Sequence, residues 1–381
     1  MLEVSPVRTR ADLRRFIALP YRLYRGDANF VPPLRSQMRA MLQGRDNMLF
    51  GYGPHELLLC RRGRRVIGRV LVGVDHLYNR ENGSNSAWFS LFECERDDEA
   101  AMALLGAAEK WVTEHGMRTL RGPESPDNGD SYKGLLVMGF DGPPALMNSY
   151  NPPWYAQWFE AFGLRKYQDL FAYSFTAEDF RAKGIDRVVD YAMAKFRYGV
   201  YPLDRKQLDR EIRDIHEILV QTMPTFEQEH SSVPSLEDIA KLARTLLPIA
   251  DDELVCIART LEGRPIGYVV AVPEWNQVFR HLRGGRLLPF GWLKVLYYRR
   301  RIDAMRVFMQ FVVPDWQNRA VNAAIFLRMS QAALRKGYRG GDGSTIGEDN
   351  LASRLSVEKL GGRHYRTYRL YHKEIIRGIH I

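Results

Sequence analysis

Apolar residues in the first half of the chain fall into short β-like runs and stretches with helical spacing. Two runs rich in Leu and Val, 55–61 and 65–74, are separated only by Arg62-Gly63-Arg64. Runs of this length joined by a turn that contains glycine predict a β-hairpin. A helix is predicted over 97–115, because acidic residues occupy its first turn and Gly116 follows it. Further strands are predicted at 4–7, 88–94, 119–121 and 167–175, and further helices at 11–24 and 154–162.

The segment between 122 and 153 is rich in Gly, Pro, Asn and Asp. These residues favour turns, so a long ordered loop is predicted there, with one short strand near 145–148. Long ordered loops often carry binding residues.

The second half repeats this order of elements after a predicted linker at 176–199. Strands are predicted at 253–260, 265–273, 305–313, 340–346 and 364–372, and helices at 205–222, 318–336 and 350–360, with an insertion at 274–304. A repeated order of strands and helices indicates two copies of one structural unit. We therefore predict a mixed α/β fold with two similar domains, 1–178 and 192–381, each a mostly antiparallel twisted sheet flanked by helices.

Length and composition agree with two ordered domains. The chain has 381 residues, of which 45% are hydrophobic and 26% charged, values that exclude a mostly disordered protein. The three cysteines, Cys60, Cys94 and Cys256, lack the spacing of a metal site or a disulfide framework, so no metal is expected. No apolar run reaches the length of about 18 residues that a membrane span needs, and the N-terminus does not resemble a signal peptide. We expect a cytoplasmic protein.

The net charge of +10 points to an anionic partner or only to solubility. Nucleic acid, anionic lipid, the phosphates of CoA and an acyl carrier protein are the candidates. Nucleic acid is not expected, because the arginines are scattered and no RNA- or DNA-binding module is recognisable.

The segment 312–322 joins a predicted strand to a predicted helix and is the most specific candidate site. A helix N-terminus exposes unpaired backbone N–H groups, and the helix dipole adds to them, so a pyrophosphate can bind without a dedicated side chain. Arg319 offers a charge-assisted contact. The candidate binding residues are Val312, Val313, Gln317, Asn318, Arg319, Ala320, Val321 and Asn322.

This segment resembles the acyl-CoA motif of the GNAT acyltransferases, (Arg/Gln)-x-x-Gly-x-(Gly/Ala). Gln317 matches the first position, whereas Ala320 and Asn322 stand where the motif has small residues, chiefly glycine. The downstream Glu348-Asp349-Asn350 and its helix also resemble the superfamily, which implies that Asn350 caps that helix near the pantetheine arm.

The resemblance also concerns proton transfer. In many relatives a tyrosine of the helix after Asn350 protonates the departing thiolate, and Val357 stands at that position here. Tyr365, Tyr368 and Tyr371 are the alternatives.

In the first half, Glu95-Arg96-Asp97-Asp98 replaces the acyl-CoA motif. Acidic residues repel a pyrophosphate, so this half is expected to serve the acceptor site or a domain interface.

More narrowly, motifs such as Tyr150-Asn151-Pro152-Pro153-Trp154 resemble a bacterial family of tandem GNAT-like proteins that includes ceramide synthases. This resemblance covers almost the whole chain. It implies transfer of a fatty acyl group, from CoA or an acyl carrier protein, to the amine of a sphingoid base such as 3-oxosphinganine. The alternatives are a small soluble amine or amino-acid-like acceptor, and acyl-CoA binding without catalysis.

The insertion has an apolar and aromatic centre between arginines. Residues 287–298 are too few to span a bilayer but suit an interfacial segment. The alternative is that they pack under a sheet while the arginines stay solvated. The candidate lipid contacts are Leu288, Phe290, Trp292, Arg299 and Arg300.

Candidates for the proton acceptor come from both halves. Glu227, Glu229 and His230 follow the helix at 205–222, where the superfamily places acceptor contacts, and the first half adds Glu93 and Tyr155. Each also has a purely structural interpretation, as a solvated carboxylate, an ion-pair partner or a core aromatic.

Overall fold

The computed structural model describes residues 1–45, 47, 49–127, 129, 131–180, 185–223 and 233–375. The strands are β1 Leu2–Pro6, β2 His55–Arg62, β3 Arg65–Val74, β4 Ser86–Cys94, β5 Thr119–Gly122, β6 Leu135–Met138, β7 Arg165–Thr176, β8 Tyr198–Pro202, β9 Val255–Thr260, β10 Pro265–Pro273, β11 Ala304–Val312, β12 Gly340–Gly347 and β13 Arg363–Glu374. The helices are α1 Arg10–Leu23, α2 Arg35–Leu42, α3 His76–Glu81, α4 Asp98–Glu114, α5 Tyr155–Ala161, α6 Ala177–Phe180, α7 Ile185–Phe196, α8 Leu208–Thr222, α9 Leu236–Leu246, α10 Asn276–Phe279, α11 Gly291–Tyr298, α12 Val321–Arg335 and α13 Leu351–Lys359.

The described chain divides into two compact units. Unit 1 comprises Met1–Leu170, Val278–Tyr297 and the residues from Arg366 onward, and unit 2 comprises Phe171–Gln277 and Tyr298–Tyr365. Within unit 1 the strand order is β1-β2-β3-β4-β5-β13, and within unit 2 it is β12-β11-β10-β9-β8. The β4–β5 and β11–β12 pairs are parallel, and the other pairs in these two orders are antiparallel.

The sheet of unit 1 is buried on both faces. Leu59 and Leu71 belong to the core formed with α1 and α2, whereas their neighbours Cys60 and Val70 belong to the core formed with α4 and α5. Successive side chains of a strand point to opposite faces, so β2 and β3 supply both cores at once. This explains why their sequences are continuous apolar runs rather than alternating ones.

In unit 2, a buried ion pair ties a helix to the sheet. Arg259 on β9 donates hydrogen bonds to Asp214 over 2.7 Å and to Glu211 over 3.0 Å, both on α8. On the α12 side, the buried residues Val321, Ala324 and Ile325 recur at helical spacing. They fix the helix whose first residues form the candidate site.

The structure confirms the mixed α/β class with mostly antiparallel sheets and flanking helices. The predicted strand at 145–148 is wrong, because the amide of Asn148 donates to the carbonyl of Ala145 in a turn, and β6 lies earlier. The predicted linker at 176–199 contains α7, whose Val189 and Ala192 are buried. The domain limits 1–178 and 192–381 follow the repeat of elements along the chain and stay a prediction.

None of the helices in the described part of the chain is long and apolar enough to cross a bilayer. Within the same residues, no group of three or more His, Cys, Asp or Glu side chains could hold a metal ion.

Candidate active site

Strands β11 and β12 form a fork in unit 2. They pair in parallel only between Ala304–Val307 and Gly340–Gly343, although both strands continue further. Against β10, β11 has a register shift in which Val270 pairs with Met309 and Ala271 with Val307, so that Phe308 is the extra residue of a β-bulge. The rest of β11 therefore keeps β10 on one side and has no β12 register partner on the other.

Beyond β11, the chain turns into α12 through a left-handed backbone. Asn318 and Ala320 have φ angles of 62° and 60°. The side chain of Tyr198 donates a hydrogen bond to the carbonyl of Arg319 over 3.2 Å and holds this turn. Ala320 occupies the position at which the acyl-CoA motif has glycine, and it adopts the conformation that glycine takes most easily. An alanine therefore holds this left-handed position.

The turn leaves a row of backbone N–H groups at the start of α12. Among the described residues, none accepts a hydrogen bond from the amides of residues 318–323, and the first amide of this segment with a partner is that of Ala324. Gln317, Asn318 and Asn322 are exposed, so solvent reaches this end of the helix. The row has the composition of an anion site, in which amides and helix dipole act together.

The side chains around these amides are held by their own contacts. The Arg319 guanidinium lies 4.8 Å from the centre of the Trp316 ring. Asp315 pairs with Arg264 over 2.8 Å, which offsets its negative charge near these amides. Val312, Val313 and Val321 are buried and act as packing residues under the loop.

Asn350 caps α13 as the sequence predicts. Its side chain accepts a hydrogen bond from the amide of Ser353 over 3.1 Å. Val357 packs close to Gly362, where any side chain would clash with it. The position at which the family resemblance implies a tyrosine thus makes an apolar contact here.

A polar cluster lies where the fork of β11 and β12 begins. Arg306 is fully buried and is the direct register partner of Asp342. The Tyr365 hydroxyl donates to Oδ2 of Asp342 over 2.9 Å, and the Ser344 hydroxyl donates to Oδ1. Arg306 Nη2 donates to the carbonyl of Ser344 over 3.1 Å.

Of this cluster, the sequence interpretation included Tyr365 alone. Arg306 within an apolar strand and Asp342 between glycines were available signals, since a charged residue in a buried strand needs a partner.

In unit 1, acidic side chains fill the corresponding strand-to-helix turn. The Asp97 carboxylate caps α4 by accepting from the amide of Ala100 over 3.1 Å, and Arg62 pairs with it over 2.8 Å. Glu95 pairs with Arg22 and Arg65. The helix N-terminus of this unit is thus occupied by its own carboxylate.

Two of the predicted catalytic residues meet inside unit 1. Glu93 Oε2 accepts a hydrogen bond from Tyr24 over 2.7 Å and lies 3.2 Å from the Tyr155 hydroxyl. Burial raises the pKa of Glu93 to about 7, against the lowering effect of Arg69 and the two tyrosines. Tyr155 also contacts the backbone of Cys94, accepting from its N–H over 2.7 Å. Glu227, Glu229 and His230 lie outside the described residues.

The insertion exposes its apolar centre. Leu288 and Phe290 are 76% and 72% exposed, and no residue of α11 is buried. Trp292 is also exposed, as are Arg299 and Arg300, which follow α11 in sequence. The alternative that residues 287–298 pack under a sheet is therefore wrong.

Known proteins are similar to this chain over almost its whole length. No protein-family model matches the chain. The bacterial ceramide synthase of Caulobacter vibrioides is 31% identical over 396 residues, with 98% of each chain covered. Protein YghO of Escherichia coli is 28% identical over 377 residues, covering 96% of this chain and 93% of that one.

Solved structures share the fold at low sequence identity. A tandem GNAT protein from the clavulanic acid biosynthesis pathway has a TM-score of 0.59 at 13% identity, covering 99% of this chain and 100% of that one. A GCN5-related N-acetyltransferase from Sphaerobacter thermophilus has a TM-score of 0.54 at 12% identity, covering 100% and 98%. The chain is thus an N-acyltransferase with the tandem GNAT fold, and it belongs to the bacterial ceramide synthase family.

Proposed function

We propose that unit 2 binds an acyl-CoA at the start of α12 and that the acyl group passes to the amine of a sphingoid base, such as 3-oxosphinganine. The observation that carries this proposal is the row of amides at residues 318–323, for which no described residue is an acceptor, beside the part of β11 outside its described pairing with β12. The amides and the helix dipole would hold the CoA pyrophosphate although the loop lacks the glycines of the acyl-CoA motif. Arg319 adds a positive charge next to them.

The open side of β11 suits the pantetheine arm of the donor. Backbone N–H and C=O groups of a strand without a neighbour can pair with the amides of an extended ligand. The bulge at Phe308 redirects the backbone at the start of this stretch. A redirected N–H is the kind of group that polarises a thioester carbonyl as the oxyanion develops. Asn350 is proposed to flank the arm.

Proton transfer is assigned to the cluster at the base of the fork. In acyl transfer the amine nitrogen bonds to the thioester carbon, the C–S bond breaks, and one proton leaves the nitrogen while the thiolate gains one. Tyr365 is partly exposed, and its hydroxyl is held by Asp342. We assign the proton relay from nitrogen to sulfur to this hydroxyl, with Asp342 and Arg306 as positioning residues.

The other candidates have different roles in this proposal. Glu93 and Tyr155 contact one another in the interior of unit 1, so we treat them as structural there. Catalytic roles for Glu227, Glu229 and His230 stay predictions.

A lipid acceptor is supported by the exposed apolar centre of the insertion. Leu288, Phe290 and Trp292 of unit 1 would enter the membrane interface. For Arg299 and Arg300, contact with anionic headgroups stays a prediction from the sequence. This proposes a peripheral location on the inner face of the membrane. The name of the Caulobacter relative supports the same substrate class. An acyl carrier protein thioester is the alternative donor, and a small soluble amine is the alternative acceptor.

The proposal is tested by activity assays of the purified protein with each combination of donor and acceptor. Long-chain acyl-CoA and the corresponding acyl carrier protein are each combined with 3-oxosphinganine, sphinganine and small amines, and release of the thiol and formation of the amide are both measured. Amide formed from acyl-CoA and a sphingoid base is the expected result. Turnover of small amines alone would overturn the lipid acceptor, and turnover from the carrier protein alone would overturn CoA as the donor.

A further inference from the structure

Unit 1 contains a groove in which five of the eight lining residues are arginines. It has a volume of about 480 Å³ and lies between α1, α2 and the insertion. We call it the arginine groove. Its lining residues are Ala11, Arg14, Arg15, Ile17, Ala18, Arg35, Arg39 and Arg286. No sequence motif predicts this groove, because its five arginines come from three separate segments.

The positive charge of the groove is only partly neutralised. Arg15 pairs with Asp12 over 2.9 Å, whereas in the described part of the chain no carboxylate pairs with Arg14, Arg39 or Arg286. Burial lowers the pKa of the Arg35 guanidinium, and the charges of Arg286 and Arg39 lower it further. Like charges held this close repel one another, and an anion in the groove would relieve that repulsion.

Close packing of the insertion fixes this arrangement. Arg35 Nε donates to the carbonyl of Gly284 over 2.7 Å, and its guanidinium stacks 4.2 Å from the centre of the Tyr21 ring. Gly285 has φ 65°, and a Cβ there would lie 2.0 Å from the carbonyl oxygen of Pro33. Only glycine permits this approach, and Arg286, which lines the groove, follows it directly in the chain.

The apolar surface of the insertion begins directly after Arg286. Leu288, Phe290, Trp292, Leu293, Leu296 and Tyr297 are each at least 45% exposed, and all belong to unit 1. We call these six residues the apolar face. A cluster of exposed aromatic and aliphatic side chains beside concentrated arginines is the combination that binds anionic membrane surfaces.

We propose that the arginine groove binds the phosphate of an anionic phospholipid headgroup while the apolar face enters the acyl region of the same bilayer. Guanidinium groups suit this ligand because their donors match phosphate oxygens in pairs. Trp292 and Tyr297 have the side chains that favour the boundary between headgroups and acyl chains. The role of the apolar face rests on the membrane contact of the proposed function, whereas the groove goes beyond it, since it lies in unit 1 and holds none of the proposed catalytic residues.

The test is co-flotation of the full-length protein with vesicles. Vesicles of phosphatidylcholine with phosphatidylglycerol are compared with vesicles of phosphatidylcholine alone at low salt. We expect recovery with the anionic vesicles only, and a loss of at least about tenfold in the double variant Arg14→Glu, Arg39→Glu. The matched control is Arg187→Glu, Arg213→Glu, which changes the net charge equally on exposed helix positions of unit 2. The control is expected to float as the wild type does.

Four results would overturn the proposal. Equal losses in both double variants would mean that net charge alone drives binding. Unchanged flotation of the groove variant would remove the groove from the interaction. Competition by inorganic phosphate or CoA at millimolar concentration would identify a soluble phosphate compound as the ligand. Groove-dependent capture of an acidic carrier protein, with no vesicle binding, would make the partner a protein.

A further measurement separates this inference from the proposed function. CoA binding by calorimetry is expected to be the same in the wild type and the groove variant. Loss of flotation with intact CoA binding supports the groove, while absence of CoA binding in every protein would contradict the proposed donor site only.

Discussion

The hydroxyl of Tyr365 donates a hydrogen bond to Oδ2 of Asp342 over 2.9 Å, at the base of the fork between β11 and β12. The carboxylate is also held by the Ser344 hydroxyl and lies beside the buried Arg306. A phenol that donates its proton to a fixed carboxylate has its oxygen lone pairs in one orientation. This orientation determines which donor group can form a hydrogen bond to the phenol oxygen. Both residues belong to unit 2, and α13 lies between them in the sequence.

Tyr365→Phe removes only the hydroxyl and tests the proton relay. We expect kcat to fall by about 10²- to 10⁴-fold, the usual contribution of a positioned proton-transfer group, with little change in the affinity for CoA. Steady-state kinetics and calorimetry measure the two quantities. The matched control is Tyr201→Phe on β8, whose side chain is exposed. A Tyr365→Phe enzyme with wild-type kcat at every pH between 6 and 9 would exclude the relay.

The affinity for CoA should respond to a change of charge in unit 2 but not in unit 1. Arg319→Glu places a negative charge beside the amides at 318–323, which have no acceptor among the described residues, so the affinity for CoA is expected to fall by about tenfold or more. Glu95→Gln in unit 1 removes a carboxylate that already pairs with arginines and is expected to leave the affinity unchanged. Calorimetric titration with CoA checks both variants. Equal losses in the two would contradict the assignment of the donor site to unit 2.

The sequence predicts most of the strands and the main helices, because their signals are local. The hairpin of β2 and β3 follows from two apolar runs and one glycine turn, and Asn350 is a cap that its own sequence context identifies. The turn after Val313 was also predictable, since a strand, a proline and a helix follow one another there.

What could not be predicted depends on residues far apart in the sequence. Arg306 and Asp342 become partners through the register of β11 and β12. The sequence of one strand does not determine its register with another. The arginine groove needs α1, α2 and the insertion together. In the loop 122–153 the sequence did not predict β6. This strand has only four residues, and turn-forming residues surround it.

Ala320→Gly tests the left-handed turn between β11 and α12. A non-glycine residue with φ 60° carries strain of about 1–2 kcal/mol, part of which is offset because glycine gains more freedom in the unfolded chain. We expect a net stabilisation of about 0.5–1 kcal/mol and unchanged or tighter CoA binding. Ala323→Gly, within α12, is the control and should lose about 1 kcal/mol, because glycine is unfavourable in a helix. Chemical denaturation measures both, and a destabilised Ala320→Gly protein would show that the turn is not strained.

The buried Glu93 predicts a specific dependence of stability on pH. Burial raises its pKa from 4.5 to about 7, so the folded state binds a proton more tightly than the unfolded chain does. Unfolding then releases this proton between about pH 4.5 and 7, and the contribution of Glu93 to stability is fully present below that window and lost as the pH rises through it. The loss amounts to roughly 3 kcal/mol at most.

Glu93→Gln keeps a side chain that can accept from Tyr24 but cannot ionise. Its free energy of unfolding, measured in urea at pH 5 and pH 8, is expected to decrease less over this interval than that of the wild type, because the ionised carboxylate no longer has to be buried. Glu114→Gln on the exposed surface of α4 is the control and should follow the wild type. Parallel pH profiles of wild type and Glu93→Gln would mean that Arg69 compensates the buried charge fully.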